Sequence, residues 1–280
     1  MNVLVTGAGG YIGRHVVRKL LDQNQTVIAS DLRLDGIDPR AVPCDVPIFS
    51  GNPDIYDQLG RPDVCIHLAW KDGFVHNSPA HMENLSSHIA FCNHMIAGGL
   101  PALGVMGTMH EVGYWEGAID ENTPCAPLSQ YGIAKNAMRQ SLLLYARQYN
   151  CRLCWMRAYY ITGDDLRGNS IFSKIAQAAS KGQKEFPFTS GKNRYDFVNL
   201  DELAEMITAA SLSPEGTGVV NVCTGRPVSL SERVERFIRD NHYDIHLQYG
   251  AFPDRAYDSP GVWGDAAKIQ RIMKETSSEA

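Results

Sequence analysis

Glycines at positions 7, 10 and 13, in Thr6-Gly7-Ala8-Gly9-Gly10-Tyr11-Ile12-Gly13, follow the apolar run Val3-Leu4-Val5 and open an amphipathic stretch. Few patterns restrict a fold more. The first glycine permits a tight strand-to-helix turn, the second lets backbone approach a pyrophosphate, and the third lets helix and strand pack closely. The helix N-terminus then faces the phosphate charge. The next strand-like run, Thr26–Ser30, ends on Asp31. A carboxylate about 20 residues downstream is where the hydroxyls of an adenosine ribose are held. Asp31 would repel a 2′-phosphate, which favours NAD over NADP, whereas Arg33 is placed to accommodate that phosphate.

The alternation continues to about residue 160. Strands are expected at Val3–Thr6, Thr26–Ser30, Val64–Leu68, Ala102–Gly107 and Leu153–Ala158, with helices at Ile12–Gln23, His81–Ala97 and Tyr131–Tyr149. Strands alternating with helices imply βαβ units, a parallel sheet and right-handed crossovers. The expected class is therefore a doubly wound, Rossmann-like parallel α/β sheet. Residues 1–160 form its dinucleotide-binding domain, and 161–280 mainly a small C-terminal substrate-binding lobe. Gly163–Asn169 reads as a loop, Ser170–Lys181 and Ser229–Asp240 as helices, and Ile245–Tyr249 as a strand. Segments around 195–211 and 219–225 are expected to return to the main sheet.

At 280 residues the chain can bury about three quarters of its unfolded surface without staples. A net charge of −5 with no basic run argues against nucleic acid as a partner. No stretch approaches the roughly 18 apolar residues of a membrane span, and no signal peptide is read at the N-terminus. The seven cysteines are an odd number in a long chain, which suits reduced thiols in the cytoplasm. Cys151 and Cys154 form a C-x-x-C, but within a strand-like alternation. The histidines show no helical pair joined to a cysteine or carboxylate cluster, so no metal is expected.

Tyr131-Gly-Ile-Ala-Lys135 supplies a Y-x-x-x-K. On a helix, residues four apart share a face, so both side chains can reach one cleft. A phenol is a poor acid or base near neutrality, and an adjacent ammonium favours phenolate. With the G-x-x-G-x-x-G spacing, this motif resembles the extended short-chain dehydrogenase/reductase family of the NAD-dependent epimerase/dehydratase type. Asp63-Val-Cys-Ile-His-Leu-Ala69, Asn84, Asn221-Val-Cys-Thr-Gly225 and Gly264-Asp265-Ala-Ala-Lys268 resemble its other landmarks.

The resemblance implies a cofactor site of Gly7, Gly10, Tyr11, Ile12, Gly13, Asp31, Leu32, Leu68, Ala69 and Trp70, with Tyr131 and Lys135. It makes Tyr131 the proton donor, with Lys135 tuning it and binding the nicotinamide ribose. The family's third group is a Ser or Thr that donates to the substrate oxygen. In Gly107-Thr108-Met109-His110-Glu111-Val112 that register falls on Met109, which cannot donate, so Thr108, one residue early, is taken for the role. His110 is an alternative proton donor or substrate contact. Glu111 falls where sugar-nucleotide dehydratases carry a catalytic Glu, but His110 replaces the Asp before it, which argues against dehydration.

Arg157-Ala-Tyr-Tyr160 carries Tyr160 where the family has an Asn on the nucleotide diphosphate. Asn169, Arg194 and Arg255 are expected to hold that diphosphate instead, since planar guanidinium suits phosphate oxygens. The implied function is reduction of a 4-keto group on a nucleoside-diphosphate 6-deoxyhexose. The alternatives are a 4-epimerase that retains NAD and a non-catalytic NAD(H) sensor. A homodimer through the helices near 81–97 and 131–149 is also implied.

Overall fold

The computed structural model describes residues 1–163, 170–254 and 259–278. In chain order its elements begin with β1 (Asn2–Thr6), α1 (Gly13–Asp22), β2 (Thr26–Ser30), β3 (Val42–Pro43), α2 (Ile55–Gln58), β4 (Val64–His67) and α3 (Ala80–Ala97). There follow β5 (Ala102–Thr108), a single 3-10 turn (Met109–Glu111), β6 (Gly117–Ile119), α4 (Gln130–Gln148), β7 (Arg152–Ala158) and β8 (Tyr160–Thr162). Next are α5 (Ile171–Ser180), β9 (Glu185–Pro187), β10 (Arg194–Asn199), α6 (Leu200–Leu212) and β11 (Gly218–Val222). The chain closes with β12 (Pro227–Ser229), α7 (Leu230–Asp240), β13 (His246–Gln248), β14 (Gly261–Gly264) and α8 (Ala267–Ser278).

Seven strands make one parallel sheet in the order β11-β7-β5-β4-β1-β2-β3. Successive side chains leave a strand on opposite faces, so strands covered on both sides must be apolar throughout. In β1, Val3 and Val5 join Val16 and Leu20 of α1 and Leu203 and Ile207 of α6. Leu4 joins Met95 of α3 and Met138 and Leu142 of α4 on the other face. The strand order reverses between β1 and β4. The loops leaving their carboxyl ends flank the crevice where such sheets bind ligands.

A second sheet runs β12-β10-β14-β6, with β8 also paired to β10, and β13-β9 form a separate ladder. The expectation for 195–211 is corrected here. Strand β10 belongs to the second sheet, and only α6 packs back over the main one. β10 carries a buried carboxylate, Asp196, that accepts the Thr224 and Gly225 N–H groups, partners an apolar helix cover would not supply. The division at residue 160 is also crossed, because β6 from the first half pairs with β14. β11 lies on the edge of the main sheet beside β7. Ser129, Asn199 and Ser229 cap α4, α6 and α7 by accepting backbone N–H groups.

Candidate active site

The glycine turn is built by close approaches. Gly7 has φ +71°, and a Cβ there would stand 2.6 Å from the Ala69 nitrogen. At Gly13 a Cβ would stand 2.0 Å from the Gly7 carbonyl oxygen. Gly9, absent from the sequence-derived set, is equally confined, with Arg33 carbonyl oxygen 1.9 Å from its Cβ position. At Gly10, by contrast, the nearest neighbour is the Gly7 oxygen at 3.1 Å, so that position faces open space on its outer side. The first turn of α1, reached through Tyr11 and Ile12, has no side-chain cap. Asp31 accepts the N–H groups of Gly9 at 3.0 Å and Leu32 at 2.6 Å, while the Leu32 side chain is fully exposed.

Leu68 and Ala69 run beside the loop, the Leu68 N–H donating to the Thr6 carbonyl at 3.0 Å. Tyr11 meets Phe74 edge-on and sits under Arg14, and its hydroxyl fills the place a Cβ of Gly163 would take. An open glycine backbone, an uncapped helix start and a carboxylate after β2 fit the pyrophosphate and ribose of NAD.

Tyr131 and Lys135 stand one turn apart on α4. Lys135 is buried, its Nζ donating to the Met106 carbonyl at 2.8 Å and lying 3.7 Å above the Trp70 ring. Trp70 is clamped in turn. Its Nε1–H donates to His81 Nδ1 at 3.0 Å, and His81 Nε2 reaches the Val75 carbonyl at 2.9 Å. Beneath it His88 stacks at 4.5 Å and shares a 2.9 Å hydrogen bond with His67, which shares another of 2.7 Å with Thr6. Burial pushes Lys135 down to about 7 and His88 down to about 3, and takes His67 well below its usual range.

Sequence reasoning expected the Lys135 charge to draw the Tyr131 phenol downward. In the protein alone the balance runs the other way. Burial raises Tyr131 well above the ordinary phenol value, the Glu111 charge adds to the rise, and a hydrogen bond with the Thr108 side chain opposes it. Tyr131 is therefore held as a phenol, ready to give a proton.

Met109 turns into the core, which leaves Thr108 to meet Tyr131. The Thr108 hydroxyl also accepts the His110 N–H at 3.3 Å. The His110 ring lies 4.2 Å from His76 and 6.2 Å from Tyr131. Burial, with His76 beside it, pushes His110 down to about 4, so it is neutral near neutrality and has no acidic proton to offer. Glu111 is buried away from the cleft: its carboxylate accepts the Thr108 N–H and the Trp155 Nε1–H, and Arg139 and Arg157 flank it.

Arg194 is not brought to this group by any described contact; its guanidinium donates to the Pro227 carbonyl at 2.8 Å, at the outer end of β10. Asn169 and Arg255 lie outside the described residues. Tyr160 meets Tyr195 at a tilt, 4.3 Å between ring centres. His76, His81, His88 and His67 were missed because nothing in their spacing announces that loop 71–79, β4 and α3 converge on one tyrosine and one lysine.

A profile of the NAD dependent epimerase/dehydratase family matches residues 3–223. The chain is 43% identical to the dTDP-6-deoxy-L-talose 4-dehydrogenase (NAD(+)) of Aggregatibacter actinomycetemcomitans, over 94% of this chain and 99% of that protein. In structure it resembles UDP-glucose 4-epimerase from Thermotoga maritima with UDP-glucose, with a TM-score of 0.82, 24% identity and 97% and 92% of the two chains covered. It also resembles UDP-glucose 4-epimerase of Thermus thermophilus in complex with NAD, with a TM-score of 0.80, 21% identity and 97% and 92% covered. At those identities the two structures speak to the fold.

Proposed function

Because this chain belongs to the NAD dependent epimerase/dehydratase family, we propose that it is an NAD-dependent oxidoreductase interconverting the 4-keto and 4-hydroxy forms of a nucleoside-diphosphate 6-deoxyhexose. The relative at 43% identity bears the name of that reaction on a dTDP sugar. The observation that carries the assignment is Tyr131, a half-buried phenol beside Thr108 with Lys135 one turn on. When bound, NAD(H) supplies or accepts the hydride.

The chain's own residues do the rest. Gly7, Gly10, Tyr11, Ile12 and Gly13 form the pyrophosphate cradle, and Asp31 with Leu32 holds the adenosine ribose. Leu68, Ala69 and Trp70 wall the nicotinamide end. Tyr131 gives its proton to the C4 oxygen in reduction and takes it back in oxidation. A phenol kept protonated by burial suits the reducing direction. Thr108 donates to the same oxygen, a bond that strengthens as the ketone gains charge. Lys135 binds the nicotinamide ribose, and its ammonium, whose pKa burial pushes down to about 7, tunes Tyr131. The diphosphate is held by Asn169 and Arg255, and His110 contributes a neutral ring to the sugar pocket. Arg194 reaches the diphosphate only by releasing the Pro227 carbonyl.

Exposed Met82 and Leu144 on α3 and α4 support a homodimer through these helices. Among the described residues no helix is long and apolar enough to cross a membrane, and seven unpaired cysteines suit the cytoplasm. The test is turnover of purified protein against dTDP-linked 4-keto-6-deoxyhexoses with NADH and with NADPH. NADH consumption with appearance of the 4-hydroxy sugar, at several-fold higher kcat/KM than with NADPH, is expected. Epimer formation without net NADH loss would replace the assignment with an epimerase. NADH binding without any turnover would leave a sensor.

A further inference from the structure

Glu111 has no exposed surface, and no step above uses its carboxylate. Four groups converge on it. The Thr108 N–H donates to Oε1 at 2.7 Å, Trp155 Nε1–H donates at 2.9 Å, and Arg139 and Arg157 stand 3.5 Å from Oε2. Gly107 makes this arrangement possible, because a Cβ there would stand 2.2 Å from Trp155 Nε1 and 2.7 Å from Glu111 Oε1. The carboxylate closes a capping box on the 3-10 turn, Thr108 and Glu111 each binding the other's backbone end. Both oxygens being engaged and enclosed, Glu111 cannot serve as a base for substrate.

We propose that Glu111 is a positioning residue for the reaction: it locks Thr108 against Tyr131 and places a fixed negative charge behind Tyr131 and Lys135. This rests on the roles proposed above for those three residues. Geometry supplies the first half, since Glu111 grips the Thr108 backbone and the Thr108 hydroxyl caps the same turn beside Tyr131. Charge supplies the second. The Glu111 anion disfavours a Tyr131 phenolate and favours a Lys135 ammonium. The other groups around Lys135 are Tyr131 on its own helix, Trp70, His67 of β4, and His88 and Cys92 of α3. Those around Glu111 are Arg139 of α4, Arg157 and Trp155 of β7, and Tyr159 just beyond it.

The two arms of a test have opposite signs. Glu111→Gln keeps an acceptor for the Thr108 N–H and deletes the charge; Arg139→Gln keeps Glu111 and deletes a cation beside it. In protein labelled with carbon-13 lysine and free of cofactor, NMR follows the Lys135 side chain, identified by its loss in Lys135→Arg. From a wild-type midpoint of about 7, Glu111→Gln is expected to lower the midpoint by about one pH unit, and Arg139→Gln to raise it. In turnover, both limbs of the kcat/KM profile should move the same way as the NMR midpoint. A residue that merely stabilised the fold would lower the profile without moving it. Unmoved midpoints, or midpoints that move together in the two variants, overturn the proposal. If Glu111→Gln does not fold, Glu111→Asp decides: the shorter side chain keeps the charge but draws back from the Thr108 N–H, so kcat should fall while the Lys135 midpoint holds, and an unchanged kcat refutes the proposal. The NMR measurement needs no substrate, so absent turnover with midpoints that move as expected would count against the proposed function instead.

Discussion

Substituting alanine at Gly9 and at Gly10 should give opposite phenotypes from adjacent residues. At Gly9 the new methyl would stand 1.9 Å from a backbone carbonyl, that of Arg33, and 3.5 Å from an Asp31 carboxylate oxygen. A backbone carbonyl, here in the loop after β2, cannot swing aside as a side chain would. Overpacking of this kind costs about 1–3 kcal/mol. The displaced loop also strains the Gly9 N–H bond to Asp31, a charge-assisted bond worth about 1.5 kcal/mol where solvent reaches it. Together these predict a loss of about 2–4 kcal/mol in the protein without cofactor, or roughly 5–10 °C in Tm for a domain of this size. At Gly10 only the Gly7 oxygen at 3.1 Å is nearby, a contact relieved by a shift of a few tenths of an ångström, so Gly10→Ala should lower that Tm far less than Gly9→Ala. Its methyl would instead enter the space proposed for the pyrophosphate, and a penalty of about 1–3 kcal/mol there raises the NADH Kd by roughly 5–150-fold. Thermal melts and NADH fluorescence titration measure the two effects. A wild-type Tm in Gly9→Ala, or wild-type NADH affinity in Gly10→Ala, would refute the placement of the cradle.

Replacing Tyr131 with Phe should lower kcat by roughly 10²–10⁴ while NADH affinity holds; near-normal turnover would remove Tyr131 from the mechanism. Thr108→Val should lower kcat by about 10–10³ with little change in KM. Met109→Ser should not compensate, because Met109 lies in the core and its loss lowers Tm as well. Acid should unfold the protein through two desolvated histidines, His88 in the interior and His110 half-buried. His88 and His110 are depressed from 6.5 to about 3 and about 4, so they stay neutral in the fold while the unfolded chain takes up protons. Their contribution is present above about pH 6.5 and is lost as pH falls toward those values. Tm should drop steadily between pH 6.5 and 4, and a flat profile across that window would contradict their burial.

The parallel sheet was legible in the sequence because its strands are long enough to carry a period and its glycines mark the first turn. Apart from the six-residue β10, the strands of the second sheet run 3–4 residues, too short for that. Gly261–Gly264, bracketed by glycines, offered no pattern before its register with Gly117–Ile119 was known. Tyr131 and Lys135 could be found because helical spacing places them on one face. At Tyr131 the sequence shows the charge of Lys135 but not the burial, which raises the phenol and depresses Lys135 itself. Gly9 escaped notice because its constraint is a carbonyl some two dozen residues away. Glu111 fell at a position read as chemical, and only its distant partners Trp155 and Arg157 show the carboxylate turned inward.

The passage of β6 into the second sheet and of β11 into the first ties the two halves of the chain like crossed laces. A chain severed after residue 160 would leave β7 with a bare outer edge and β6 without β14, and bare edges invite aggregation. Sugar preference therefore cannot be transplanted between relatives by exchanging everything after that point. A workable chimera would have to carry Gly117–Ile119 along with the C-terminal half, and would have to match the donor's β11 to the recipient's β7.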